Sequence, residues 1–176
     1  MLESLGLLSP ALFGQLLLGL INGSFYAMMS LGLAIIFGLL NVVNFAHGAQ
    51  YMMGAFTAWM LLQWAGIPYG WALLLAPLIV GLSGVVLERL FVRRLYHLDH
   101  VYGLLLTFGI TLIVEGLYRK AFGSAGLPYA NPMPGGLRTG LGYLPYYRLW
   151  ALFASLLICL ATWSVSYTHL TLPTKA

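Results

Sequence analysis

The chain has 176 residues, 61% of them hydrophobic and 7% charged, with a mean hydropathy of +0.90 and a formal net charge of +4. Soluble domains carry about 25% charged residues, so this composition excludes an ordinary soluble domain and gives no basic surface for nucleic acid. The single cysteine, Cys159, lies in an apolar run and has no partner in the chain, which excludes a disulfide scaffold.

A helix needs about 20 apolar residues to cross about 30 Å of hydrocarbon. The pattern predicts an all-α, polytopic transmembrane helical bundle with about five spans. Met1-Leu2-Glu3 lacks the basic region of a cleaved signal, so the first run is expected to stay as an anchor. That run, about Ala11 to Leu40, exceeds one straight crossing. It is either one tilted or broken helix or a hairpin turning near Asn22-Gly23 or Gly32. Gly19 and Gly23 form a G-x-x-x-G pair that lets another backbone approach, and Gly48 is a third candidate for helix packing.

A second run, about Gln50 to Trp64, leads into the uncharged turn Gly66-Ile67-Pro68-Tyr69-Gly70, beside Trp59, Trp64 and Trp71. Such aromatics suit a membrane–water interface. The third run, about Trp71 to Leu90, contains Pro77, which a membrane helix tolerates when neighbours satisfy the freed carbonyl. Arg89, Arg93 and Arg94 follow within Glu88–His100 and read as a cytoplasmic loop. His97, Asp99 and His100 lack the further ligands that a metal site needs, so no metal is expected, and Asp99 is read as a helix cap.

The fourth run, about Val101 to Tyr118, ends near Glu115 and Arg119. Lys120 to about Arg148 is rich in Gly and Pro and is expected to be a long irregular loop on the opposite face. Arg119, Lys120, Arg138 and Arg148 put four positive residues on that side too, but at lower density than in the arginine loop. Asn131-Pro132-Met133 is similar to the Asn-Pro-Ala signature of water channels, yet it occurs once and among turn residues. A water channel is therefore not inferred. The last run, about Leu149 to Val165, is a fifth span. With residues 11–40 as one span, the N-terminus falls outside the cell; as a hairpin, inside.

Ser4 to Leu87 contains no Asp, Glu, Lys or Arg, and within it lie Asn22, Asn41, Asn44 and His47. Amides and imidazoles are costly in lipid unless they face protein or a wet cavity. These four are candidate substrate-pathway residues, with helix–helix glue as the alternative. As a helix face, Asn41, Asn44 and His47/Gly48 form a stripe that either lines a passage or marks a helix break.

Gly19 to Ala27, then Leu31 to Gly38, then Asn41-Val42-Val43-Asn44-Phe45-Ala46-His47-Gly48 closely resemble the N-terminal hallmark of one family. It is the inner-membrane permeases of branched-chain amino acid ABC transporters, the type that pairs with a second, related permease. The resemblance continues through Glu88-Arg89, Leu104 to Gly109 and Phe122 to Pro134, covering about residues 10 to 163. It implies a subunit in the bacterial inner membrane that carries leucine, isoleucine, valine or a related solute. The implied partners are a homologous permease subunit, two cytoplasmic ATPase subunits and a periplasmic substrate-binding protein. No G-x-x-x-x-G-K-[ST] loop is present, so the chain needs no cofactor of its own and ATP is used by the partners.

Members of that family are longer, with a basic loop and further spans after the fifth. Here residues 1–165 read as the N-terminal part of a permease domain, and residues 166–176 as a non-native tail. No catalytic constellation is evident, so an integral membrane enzyme is disfavoured. A passive channel lined by the polar residues stays open.

Overall fold

The computed structural model describes residues 10–40, 44–139 and 142–170. It is built from five long helices: α1 (Pro10–Leu40), α2 (Ala46–Ala65), α3 (Tyr69–Leu90), α4 (His100–Phe122) and α5 (Tyr146–Leu170). Four contain a stretch long and apolar enough to cross a membrane: Ala11–Gly38, Tyr69–Leu95, His100–Phe122 and Tyr146–Ser166. The expectation of about five spans is met in helix number, but α2 is not among those four. Its 20 residues reach about 30 Å, so polarity and not length sets it apart. It carries His47, Gln50, Thr57 and Gln63.

The first apolar run is one unbroken helix of 31 residues. Neither Asn22-Gly23 nor Gly32 turns the chain, because a helix in an apolar solvent satisfies its own backbone and a turn there would not. Pro77 is likewise accommodated inside α3.

The helices fall into two compact units, Met1–Leu31 with Asn131–Ala176, and Gly32–Ala130. In the second, α2 packs on α3 and on α4. The connection from α2 to α3 needs glycine: Gly66 has φ 64°, and the amides of Gly66 and Ile67 close on the carbonyls of Leu62 and Leu61. Only a residue without a Cβ adopts that left-handed turn at low cost. Asp99 caps α4 as expected, its carboxylate accepting the Val101 amide at 3.1 Å. Arg119 and Lys120 lie in the last turn of α4, where positive charge suits the helix dipole.

Apart from Ile21 in the first unit, the buried residues are small: Ala46, Ala49, Thr57, Ala72, Ala76 and Thr107 in the second unit, Ala151 and Ser155 in the first. Large side chains such as Leu16, Trp64 and Leu78 point outward. This inverts a soluble core and matches helices that pack through small residues while bulky ones meet lipid. Hydroxyls on the helices bond back to carbonyls three or four residues earlier, as Thr57 does to Met53 and Thr162 to Ile158. Such bonds remove donors that lipid cannot satisfy. At one end of α2 and α4, Phe56, Trp59, Trp64, Tyr118 and Phe122 form an aromatic cluster. Trp59 Nε1 ties this cluster to the Pro128 carbonyl at 3.2 Å.

The segment expected to be irregular after α4 contains an antiparallel hairpin, β1 (Gly136–Thr139) with β2 (Gly142–Pro145). Its register sets Leu137 opposite Leu144 and Arg138 opposite Tyr143. Cross-strand aliphatic and aromatic pairs stabilise a strand pair that Gly and Pro content alone disguised. The Tyr146 amide closes the hairpin's base on the Gly135 carbonyl at 3.2 Å. Helix α5 runs on through residues 166–170, inside the segment set apart as a tail; residues 171–176 lie outside the described residues.

Candidate functional site at the start of the second helix

Helix α1 ends at Leu40 and α2 begins at Ala46. Asn44 stands just before α2, so of the two readings of the stripe, a lined face or a helix break, the described part of it fits the break. The side chain explains the start of α2: Asn44 Oδ1 accepts the Ala46 amide at 3.0 Å, and its carbonyl accepts the His47 amide at 3.3 Å. Asparagine competes with helix by bonding to nearby amides, which makes it a starter and not an interior residue.

The next amide, that of Phe45, is satisfied from a distant part of the sequence. Thr107 Oγ1 on α4 accepts it at 3.2 Å while donating to the Leu104 carbonyl at 3.1 Å. Thr107 is 1% exposed. The Phe45 ring meets Phe108 edge to face, with centroids 6.1 Å apart. Two further contacts register α2 against its neighbours. The half-buried His47 imidazole covers Gly32 of α1, and the Gln50 amide covers Gly84 of α3.

Between these elements lies a small cavity of about 60 Å³. Its polar lining comes from Asn44, Gln50, Glu88, Tyr96 and Thr107. At about 30 Å³ per water, it has room for about two. Tyr96 donates its hydroxyl to Glu88 Oε1 at 3.1 Å. Burial pushes the Tyr96 phenol above its ordinary value, and the bond and charge of Glu88 add to this.

Of the expected pathway residues, Asn44 and His47 therefore meet at this break. Asn22 is exposed on α1 in the first unit, and Asn41 lies outside the described residues. At Gly19, Gly23 and Gly48 a Cβ would meet nothing within 4 Å, so no described residue packs on the glycines chosen for packing. Among the described helix glycines, the close approaches are at Gly32 and Gly84. Sequence reasoning also passed over Gln50 and Thr107. Each is a polar residue flanked by apolar or small ones, which is the same signal that drew attention to Asn44. Among the described residues there is no group of three or more His, Cys, Asp or Glu that could hold a metal.

A family model described as branched-chain amino acid transport system / permease component matches residues 15–170. The chain belongs to this permease family. The match runs through α1, the break and all four later helices. Among curated relatives, the high-affinity branched-chain amino acid transport system permease protein LivH of Escherichia coli K12 is 28% identical over 118 residues. That alignment covers 62% of this chain and 38% of LivH. BraD of Pseudomonas aeruginosa, described in the same words, is 28% identical over 109 residues, covering 57% of this chain and 36% of its own. The LivH of Salmonella typhimurium is 27% identical over 118 residues. The matched part of this permease chain thus spans under two fifths of the curated relatives' length. No solved structure gives a significant match.

Proposed function

We propose that this permease-family chain forms part of the translocation pathway of an ABC importer for branched-chain or related amino acids in the bacterial inner membrane. The family match over residues 15–170 is the observation that supports this most strongly. The relatives' names supply the solute class. The polar break adds a physical reason: Asn44, His47 and Gln50 gather where α2, the long helix outside the four candidate spans, begins. Interrupted helices with exposed backbone groups are a common way to build a solute site within a bilayer.

In this reading the chain performs no chemistry. It offers a polar route, and the free energy comes from ATP hydrolysed by two cytoplasmic ATPase subunits. A second permease subunit completes the pathway, and a periplasmic binding protein delivers the solute. Asn22, Asn41, Asn44 and His47 are the proposed pathway residues, and Gly19, Gly23 and Gly48 are proposed contacts for helices outside the described set.

The test is co-purification and flux. The chain, expressed with its neighbouring transport genes, should retain an ATPase subunit through affinity purification and support leucine uptake only when ATP is supplied. Flux at the same rate without ATP would establish a passive channel instead.

A further inference from the structure

We propose that Thr107 is the positioning residue of the permease site: its hydroxyl oxygen holds the helix break in register by accepting the Phe45 amide. The relevance of this to transport rests on the functional reading above; the positioning itself does not.

Other helix hydroxyls in the second unit, those of Thr57, Ser83 and Thr111, bond back to their own helix. Thr107 does this too, but its oxygen also takes an amide 62 residues away in sequence. The donor, Phe45, follows Asn44 and occupies the N-cap position just before the first turn of α2. The Phe45 amide precedes α2, and among the described residues its acceptor is this oxygen. Thr107 is itself 1% exposed, so the acceptor is held fixed by the packing around it. The bond fixes both the start of α2 and its rotation. That rotation sets His47 over Gly32 and Gln50 over Gly84. The adjoining cavity of about 60 Å³ gives this end of α2 space to shift once the bond is lost.

Amide hydrogen exchange on the chain in lipid nanodiscs reads this directly. In the unaltered protein, the Phe45 amide should exchange slowly compared with an open loop. Thr107→Val keeps the shape and removes the acceptor, and exchange at Phe45 and Ala46 should rise by about tenfold or more. Thr107→Ser keeps the oxygen and should restore protection. Loop-like exchange at Phe45 in the unaltered protein overturns the proposal even if the valine variant does not accumulate, and so does unchanged protection in Thr107→Val. Leucine uptake by the assembled transporter carrying Thr107→Val separates the two readings. Raised exchange with lowered uptake, rescued by serine, supports positioning for transport. Raised exchange with full uptake leaves the positioning intact and counts against this break as the pathway.

Discussion

The imidazole of His47 occupies the space that a side chain on Gly32 would need: a Cβ there would lie 3.0 Å from both Cε1 and Nε2. The tip of the His47 ring reaches the backbone of α1 at Gly32. Gly32→Ala must push that ring tip aside by a few tenths of an ångström, and we expect a loss of about 1 kcal/mol. Gly19→Ala and Gly23→Ala, which meet nothing within 4 Å, should be neutral in this chain. Thermal unfolding in detergent compares the three; equal effects would refute the contact.

Asn44 can serve as helix starter, pathway amide or both, and substitution separates these roles. Asn44→Ser keeps an oxygen for the Ala46 amide, so stability should hold within about 0.5 kcal/mol, whereas Asn44→Ala should cost about 1 kcal/mol. If the amide also contacts solute, the serine variant loses uptake at normal stability. Uptake that follows stability across both variants would assign Asn44 to capping alone.

Tyr96 gives a pH signature at the end of α3. Its folded pKa is raised, by burial first and then by the bond to Glu88. A raised pKa means the folded state holds the phenol proton more tightly than the unfolded one. The associated stability is therefore present below the unfolded value near 10 and lost as pH rises through the folded value. Unfolding measured between about pH 9 and 12 should show this decline, and Tyr96→Phe should flatten it. An unchanged slope in the phenylalanine variant would contradict the assignment.

The hairpin after α4 depends on Gly136. A Cβ there would come 2.5 Å from the Leu144 carbonyl oxygen and 2.8 Å from the Tyr143 ring. Backbone cannot yield as a flexible side chain can, so Gly136→Ala should open the β1–β2 pairing. Limited proteolysis should then cut within residues 131–145 of the variant at least several-fold faster than in the parent. Equal cleavage rates would show that the pairing survives.

Much of the fold was legible because lipid simplifies the code. Long apolar runs bounded by Arg89–Arg94, by the Gly66-Ile67-Pro68 turn and by Asp99 became α3 and α4 nearly as expected. Where the reading fell short, the deciding quantity was not periodic. The second run, which became α2, counts among the five expected spans, although His47, Gln50, Thr57 and Gln63 reduce its hydropathy. The hairpin was hidden because its strands are four residues each, too short for an alternation signal amid Gly and Pro. At the site, unpaired polarity pointed to Asn44 and His47. Which glycine a helix packs against depends on tertiary approach, so Gly19 and Gly23 drew attention while Gly32 and Gly84 held the contacts. Thr107 stands out as a polar residue among apolar ones, but its pairing was not legible, because its partner, Phe45, offers only a backbone amide.

The central claim is that the polar break carries an amino acid through the membrane under ATP drive. The measurement that tests it most directly is ATP-dependent uptake of labelled leucine into vesicles containing the assembled transporter, with His47→Ala compared with the parent at equal membrane abundance. The account predicts ATP-dependent uptake in the parent and a loss of about tenfold or more in the variant, about 1.4 kcal/mol or more in the transport barrier. Undiminished uptake by His47→Ala, or uptake indifferent to ATP in the parent, would contradict it.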